Sequence, residues 1–279
     1  TYSFVSPEQQ ALMDPDSAPL ALANPLSAEL SVMRTSLWPG LLQAARQNLA
    51  RQQARVRLFE SGLLFRVEAD GLRQEAMLAG LSVGPVVPEQ WGDAPRAADF
   101  FDIKGDVEAI LRGNGADYVF TPALHPALHP GHSARIDRGG RPVGWIGTLH
   151  PAVARQLDLP AETQLFELAT TALGDAPKPA FEPLSRFPSI RRDLALVVAA
   201  DVRWEQVRSC VEAAAGELLK ALVLFDVYQG QNIEPDRKSM ALGLILQASS
   251  QTLTDQEVER LLARVIARLG DDLGARLRD

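Results

Sequence analysis

The sequence predicts an α+β protein made of two domains, on three observations. The chain has 279 residues, enough for two domains of ~100–200 residues that each bury a core. Residues 174–183 contain three prolines and a glycine, which can neither continue a helix nor lie inside a sheet. On both sides of this stretch, short strands alternate with a few helices. We therefore predict a domain at 1–175, a linker at 176–183 and a second domain at 184–279.

In the first domain, alternating apolar and polar residues predict an antiparallel sheet. Residues 29–51 are expected to be mostly helical, with a break at Trp38-Pro39-Gly40, where proline suits the first turn of a new helix. Further helices are expected at 103–111 and 151–157. The strands are expected at 56–67, 77–83, 118–121, 134–136, 143–148 and 165–168. Several antiparallel strands with few helices are typical of an α+β domain.

The second domain shows a regular change of period along the chain. Strands are expected at 192–198, 222–228, 239–247 and near 275–277. A helix is expected at 202–215 with Asp201 as its cap, and Thr254 and Glu257 form a capping box that opens a second helix. The order β-α-β-β-α-β is that of the split ferredoxin-like fold. Two helices then cover one face of the sheet, and the other face is left open.

Side chains alternate across a strand, so the sequence also predicts which residues face the helices. The bulky residues expected on the helix side are Leu194, Leu196, Val198, Val223, Phe225, Val227, Met240, Leu242, Leu244 and Leu246. Those expected on the open face are Asp193, Ala195, Val197, Asp226, Tyr228, Ser239, Ala241 and Gly243. An aromatic ring beside a hydroxyl and small residues is typical of sheets on which unpaired RNA bases stack. Alternatively, Tyr228 is a strand-end tyrosine without a ligand.

Composition excludes several classes of protein. The formal net charge of −7 argues against a protein that grips nucleic acid by bulk electrostatics. No apolar run approaches the ~18 residues that a membrane helix needs. The single cysteine, Cys210, cannot form an internal disulfide, which suits a reducing, cytoplasmic compartment.

The motifs of common catalytic sites are missing from the sequence, which has neither a glycine-rich phosphate loop nor a Gly-x-Ser-x-Gly. His125, His129 and His132 are spaced by four and three residues, but the intervening prolines prevent a helix from aligning their rings. A surface turn and the start of a strand are expected there. Cys210 lies on an amphipathic helix and is expected to be a packed thiol. We therefore predict no catalytic and no metal-binding residue.

Longer motifs carry a family resemblance. In the first domain they are 24–42 (NPLSAELSVMRTSLWPGLL), 57–60 (RLFE), 101–105 (FDIKG), 128–131 (LHPG) and 144–151 (GWIGTLHP). In the second they are 186–194 (RFPSIRRDL), 225–228 (FDVY) and 252–255 (TLTD). Together, and in this order, they resemble the bacterial phenylalanyl-tRNA synthetase beta subunit, of which the chain would be a C-terminal fragment. His132 departs from the family, which usually has arginine after His-Pro-Gly.

The resemblance implies that residues 1–175 form a class II synthetase-like domain without catalytic activity. This domain would pack against the alpha subunit in an (αβ)₂ heterotetramer that joins phenylalanine to tRNA(Phe). ATP and Mg²⁺ would then belong to the whole enzyme, and this fragment would hold no cofactor. Residues 57–60 keep the Arg-x-x-Glu of the class II strand pair, but no glycine-rich strand ending in an arginine clamps ATP. Residues 33–42 are candidate contacts with the alpha subunit, with core packing as the alternative.

The resemblance further implies that residues 184–279 bind the anticodon region of tRNA(Phe). The implied contacts, which strand alternation independently places on the open face, are Tyr228, Ser239 and Ala195. The candidate phosphate contacts, which could equally be solvated surface charges, are Arg191, Arg237 and Lys238. Two alternative functions stay open: a stand-alone RNA-binding or scaffold protein, and a self-sufficient enzyme that uses the first domain.

Overall fold

The computed structural model describes residues 1–112, 118–174, 181 and 184–278. The chain forms two compact units, Thr1–Pro179 and Ala180–Asp279. The division falls within the predicted linker, most of which lies outside the described residues. Both units combine helices with antiparallel strands, so the predicted α+β class is confirmed. Within the described part of the chain, no helix has the length and apolar character needed to cross a membrane.

Unit 1 is built around a six-stranded antiparallel sheet. Its helices are α1 (Pro7–Met13), α2 (Trp38–Ala50), α3 (Phe100–Leu111) and α4 (Pro151–Gln156). A two-stranded sheet pairs β1 (Phe4–Val5) with β2 (Val32–Met33). The large sheet contains β3 (Val56–Glu68), β4 (Gly71–Val83), β5 (Tyr118–Pro122), β6 (Leu128–Arg138), β7 (Arg141–Leu149) and β8 (Gln164–Ala169). Its strand order is β3-β4-β8-β7-β6-β5.

The two faces of the large sheet pack against different helices. On one face, Leu64, Leu81 and Leu165 join Leu41 and Leu42 of α2 in one core. On the other face, apolar side chains of the sheet pack against α3 in a second core. The buried residues of that second core are Ile103, Val107, Leu111, Ala134, Ile136, Ile146, Phe166 and Leu168. The sheet is therefore the central layer of unit 1.

The segment before α2 differs from its prediction. Residues 29–37 were expected to be helical, but Ala28–Leu30 is a single 3₁₀ turn and Val32–Met33 is β2. Val32 and Met33 pair with Val5 and Phe4 of β1, an element that the periodicity of the sequence did not predict. Helix α2 begins at Trp38 with Pro39 in its first turn, as predicted.

The proposed alpha-subunit contact at 33–42 is wrong for its largest side chains. Leu37, Trp38, Leu41 and Leu42 are all buried in the first core. The indole Nε1–H of Trp38 donates to the carbonyl of Phe166 at 3.0 Å, which fixes α2 to β8. Core packing, the alternative for this segment, is what the structure shows.

A buried carboxyl group, that of Glu167 on β8, lies at the N-terminus of α2. Its Oε1 accepts hydrogen bonds from the backbone N–H of Leu37 at 2.6 Å and from the hydroxyl of Ser36 at 3.1 Å. Burial raises the pKa of Glu167 to about 7, although these two hydrogen bonds favour the ionised form. Glu167 therefore links the segment before α2 to the sheet. Because ionising its buried carboxyl is unfavourable, the stability of this link depends on pH.

We expect Glu167→Gln to become progressively more stable than the native chain as pH rises from 5.5 to 7.5. A folded pKa above the unfolded value of 4.5 means that the folded state binds the proton more tightly. The stability contributed by protonation is complete below pH 4.5 and is lost as pH rises towards 7. Glutamine carries no charge, so it escapes this loss, which amounts to roughly 2 kcal/mol over that interval. Urea unfolding followed by tryptophan fluorescence at both pH values measures it.

Glu60→Gln is the matched control, because the pKa of Glu60 is shifted in the opposite direction. Burial would raise the pKa of Glu60, but hydrogen bonds from Thr1 and Arg34 outweigh burial and hold it below its usual value. Its carboxylate is therefore ionised throughout the interval, and the effect of Glu60→Gln should not change with pH. A constant difference between Glu167→Gln and the native chain would contradict the raised pKa.

Unit 2 has the predicted β-α-β-β-α-β order. Its strands are β9 (Ile190–Ala199), β10 (Leu219–Tyr228), β11 (Arg237–Leu246) and β12 (Arg276–Leu277), and its helices are α5 (Trp204–Ala215) and α6 (Asp255–Leu273). The antiparallel sheet has the strand order β10-β11-β9-β12. The predicted ferredoxin-like fold is thus confirmed. The bulky residues of β9 and β11 pack against both helices, as alternation predicted.

The helix ends of unit 2 follow the predicted chemistry at α6 but not at α5. Thr254 caps α6, and the side chain of Glu257 accepts from the backbone N–H of Thr254 at 2.8 Å. The Asp201 cap is wrong, because α5 begins later, at Trp204. There the side chain of Gln206 accepts from the backbone N–H of Arg203 at 2.9 Å. Cys210 of α5 lies in the core of unit 2, where its thiol contacts Asp272 of α6, and burial raises the pKa of that thiol.

Candidate nucleic-acid interface

The open face of the unit 2 sheet is the side opposite α5 and α6. Strand register places Tyr228, Ser239 and Val197 in one row across β10, β11 and β9. Asp226, Ala241 and Ala195 form the next row. Directly opposed residues of antiparallel strands have Cβ atoms about 5 Å apart, so each row is a set of neighbours. The three predicted anticodon contacts, Tyr228, Ser239 and Ala195, therefore lie in adjacent rows on one surface.

Two residues of β10 lie on the other side from their prediction. Val223 and Phe225 were expected to face the helices, but Val223 is 41% exposed and Phe225 is 50% exposed. Leu222 and Leu224 pack against the helices instead. The cause is a register shift between Leu224 and Asp226, which inserts Phe225 into β10 as an extra, bulged residue. Counting back from Val227 with strict alternation therefore gave the wrong face for both residues.

Tyr228 presents its ring on the open face and is 37% exposed. Its hydroxyl donates to the carbonyl of Gln231 at 3.4 Å, in the loop that follows β10. The ring lies against Gly230, where an added Cβ would come within 2.6 Å of the hydroxyl oxygen. A glycine at this position lets the loop approach the ring closely, which holds the ring in place while part of it stays accessible.

Ser239 is only 4% exposed, because an arginine covers it. Arg278 Nη1 donates to the Ser239 hydroxyl at 3.4 Å, and the guanidinium carbon lies 5.4 Å from the centre of the Tyr228 ring. The backbone N–H of Arg278 donates to the Ala195 carbonyl at 2.8 Å, which anchors the residue across β9. Sequence reasoning missed Arg278. Its position near the end of the chain gave no signal, because only strand pairing brings it to this face.

The three candidate phosphate contacts do not all lie together. Arg191 and Arg237 alternate onto the open face, opposite Ile245 and Ala199 respectively. Arg237 Nη1 is shielded from solvent and finds no hydrogen-bond partner within the described part of the chain.

Lys238 lies on the other side of β11 from Arg237. It opposes Val198, whose side chain lies in the core, and its ammonium group donates to the Ala200 carbonyl at 2.8 Å. Partial burial lowers the pKa of Lys238. The structure therefore does not bring this ammonium group together with Tyr228 and Ser239.

The charges of the open face are mixed. Arg191 pairs with Asp193 at 2.8 Å, and Arg276 pairs with Glu234. The exposed carboxylate of Asp226 lies two residues before Tyr228 on the same face and accepts hydrogen bonds only. This surface therefore offers an aromatic ring, hydrogen-bond acceptors and guanidinium donors together. That combination suits the binding of unpaired bases better than a uniformly basic groove for phosphates would.

The Arg-x-x-Glu motif of unit 1 does not converge on a single site. Arg57 forms an ion pair with Asp106 of α3 on one face of the large sheet. Glu60 lies on the opposite face and accepts from Arg34 at 2.6 Å. Residues three apart on a strand point to opposite faces, so the two charged groups cannot hold one ligand between them.

The histidines of unit 1 have structural contacts. His125 lies edge-on to Trp38 and Trp145, with ring centres 5.1 and 4.9 Å away, and burial lowers its pKa to about 4. His129 and His132 stack on each other at 4.6 Å, at the start of β6. Across the described ranges, no three His, Cys, Asp or Glu side chains form a group that could hold a metal ion.

Comparison with known proteins supports the same two-unit division. A family model described as the phenylalanyl tRNA synthetase beta chain CLM domain matches residues 1–170. A model described as the ferredoxin-fold anticodon binding domain matches residues 185–278.

Similar curated proteins include the phenylalanine–tRNA ligase beta subunits of Methylococcus capsulatus (52% identical) and Nitrosococcus oceani (50% identical). That of Pseudomonas syringae pv. syringae is 49% identical. Each match covers all of this chain but only 35–36% of the relative, so the chain spans about a third of the length of these proteins. The first family model alone covers more than half of the chain. The chain therefore belongs to the phenylalanyl-tRNA synthetase beta chain family.

Proposed function

We propose that this chain is the noncatalytic, tRNA-binding and subunit-assembly part of a phenylalanine–tRNA ligase. Unit 2 binds the anticodon region of tRNA(Phe). The observation that carries this proposal is the exposed ring of Tyr228, which shares one open sheet face with Ser239 and Ala195. The match of residues 185–278 to an anticodon-binding family and the names of the relatives support it.

Recognition on this face begins with stacking. An unpaired base that stacks on Tyr228 contributes ~1–3 kcal/mol to binding. Ser239 can donate to or accept from a base edge once Arg278 moves off its hydroxyl. The displaced Arg278 guanidinium remains near the ring and is available to a phosphate. Arg191 and Arg237 are the other phosphate contacts proposed on this face. Lys238 lies on the other side of β11, so it would contact only RNA that extends beyond the open face.

We assign the chemical step to an alpha subunit, the partner of this chain in an (αβ)₂ assembly in the cytoplasm. ATP and Mg²⁺ serve the whole enzyme. The support from this chain is that Arg57 and Glu60 lie on opposite faces and already have partners, Asp106 and Arg34. We derive no step of ATP chemistry through these residues.

The test uses the full beta subunit that carries this sequence, co-purified with an alpha subunit. Removing residues 184–279 is expected to abolish tRNA binding, measured by titration at about 50 and 200 mM salt, while phenylalanine-dependent ATP–pyrophosphate exchange persists. Because the chain carries a charge of −7, binding to the chain without its partner is expected to be weak and sensitive to salt.

Three results would each contradict part of the proposal. Unchanged tRNA binding after the truncation would favour a scaffold. Pyrophosphate exchange by residues 1–279 alone would favour a self-sufficient enzyme. Failure of the alpha subunit to co-purify would exclude the assembly role.

A further inference from the structure

A second aromatic ring, that of Phe225, lies on the open face beside a guanidinium group. The bulge in β10 turns Phe225 away from the core, and half of its side chain is exposed. The guanidinium carbon of Arg191 lies 5.4 Å from the ring centre, within the range of a cation–π contact. The pair repeats the arrangement of Tyr228 with Arg278 at another point on the same sheet.

Two neighbouring residues, Gly243 and Asp193, determine where the guanidinium of Arg191 lies. Its side chain crosses β11 above Gly243, where an added Cβ would lie only 3.1 Å from Nη2 and 3.2 Å from the guanidinium carbon. The glycine lets the guanidinium lie close to the strand, and a side chain in its place would push the guanidinium outward by a few tenths of an ångström. Asp193 Oδ1 accepts from Arg191 Nε at 2.8 Å, which fixes the orientation of the group. In the described part of the chain, neither Nη nitrogen of Arg191 forms a hydrogen bond with another residue.

We propose that Phe225 and Arg191 form a second stacking position, which holds an unpaired base of the same RNA whose neighbouring base lies on Tyr228. This inference rests on the proposed function of the open face. Phe225 and Tyr228 are three residues apart on β10, so their rings are separated by roughly 10 Å. Bases stacked in a helix are only about 3.4 Å apart. The RNA is therefore unstacked between the two rings, and each base rests on its own platform.

The chemistry of the second position is tolerant of base identity. Every base has a π-face that can stack on Phe225, and Arg191 adds a planar cation beside it. The Nη groups of Arg191, which have no hydrogen-bond partner among the described residues, point to a phosphate oxygen as the second contact, because a guanidinium binds phosphate through two parallel hydrogen bonds. The second stacking position thus binds a nucleotide without distinguishing one base from another.

The experiment uses the assembled enzyme and tRNA(Phe) that carries 2-aminopurine at one anticodon-loop position at a time. Phe225→Leu keeps the apolar volume and loses the ring, and we expect it to weaken tRNA binding about 5- to 150-fold. It should also change the fluorescence at one loop position, and Tyr228→Leu should change it at a different one. Phe225→Tyr keeps a ring and should bind within twofold of the native enzyme.

The matched control is Val223→Ala, on the same strand and face, which should leave tRNA binding unchanged. Arg191→Lys provides a second route, because it keeps the charge, loses the planar group and does not alter the bulge. Thermal unfolding of each variant establishes whether it keeps the fold. If Phe225→Leu does not fold, the tRNA binding of Arg191→Lys tests the second stacking position instead.

Two outcomes would contradict the second stacking position while leaving the proposed function of the open face intact. In the first, Phe225→Leu and Arg191→Lys bind tRNA normally while Tyr228→Leu is impaired. In the second, Phe225→Leu and Tyr228→Leu alter the fluorescence of the same nucleotide. Normal tRNA binding by all three variants would instead contradict the function proposed for the whole face.

Discussion

Tyr228→Ala is expected to raise the Michaelis constant for tRNA(Phe) about 5- to 150-fold in the assembled enzyme. This range corresponds to the ~1–3 kcal/mol lost when a base no longer stacks on an aromatic ring. Aminoacylation kinetics measure the constant directly. Adenylate formation, followed by ATP–pyrophosphate exchange, does not involve tRNA and should change little.

Tyr228→Phe separates stacking from hydrogen bonding at this position. It keeps the ring and removes only the hydroxyl, which makes a single long contact, 3.4 Å, with the Gln231 carbonyl. We expect its tRNA kinetics to lie close to those of the native enzyme. Unchanged tRNA kinetics in Tyr228→Ala would remove Tyr228 from the site.

Trp38→Ala is expected to lower the free energy of unfolding of unit 1 by about 3–5 kcal/mol. The indole is 1% exposed, lies in the core with Leu41 and Leu42, and donates to the Phe166 carbonyl at 3.0 Å. Its removal leaves a cavity where α2 meets the sheet and also breaks that hydrogen bond. Urea unfolding followed by circular dichroism measures the change.

Trp38→Phe is the graded control, because it keeps an aromatic ring and loses mainly the hydrogen bond and part of the volume. Its loss of stability should be clearly smaller than that of Trp38→Ala. A loss below about 1 kcal/mol in Trp38→Ala would show that 33–42 is not a core segment. The hypothesis of a contact surface with the alpha subunit would then return for these residues.

The structure assigns separate roles to the two halves of the 24–42 motif. Residues 28–33 form a 3₁₀ turn and a short edge pairing, while Leu37 to Leu42 enter the core. Two side-chain hydrogen bonds at the N-terminus of α2 link this second half to β8, one accepted by Glu167 and one donated by Trp38. An apolar motif in a sequence can therefore belong either to the core or to an interface, and the burial of its side chains distinguishes the two.

Much of unit 2 could be predicted from the sequence because its central strands are regular. Strands β9 and β11 pair over ten successive positions without a register shift, so alternation places every one of their residues on the correct face. The capping box at Thr254 is likewise a local signal that the structure keeps. Strand β10 is at the edge of its sheet and contains two register shifts, so the same rule failed for Val223 and Phe225.

The elements that were missed have contacts remote in sequence. β1 and β2 are two residues long and exist because they pair with each other. The helix expected over 29–37 gave way to this pairing, since tertiary contacts override weak local propensity. The apolar run 222–228 offers bulky side chains on both faces of its strand, which is the one sequence signal that could have warned against strict alternation there.

By itself, the sequence determined the class of each unit, the family of the chain and the open face that carries Tyr228, Ser239 and Ala195. These properties follow from backbone periods of 2.0 and 3.6 residues and from motifs that are contiguous in the chain. Tertiary structure alone decided that Phe225 faces outward, that Arg278 covers Ser239, and that Arg191 lies across Gly243. Each of these depends on which strand lies alongside another and in what register, and that is set by packing between residues far apart in the chain.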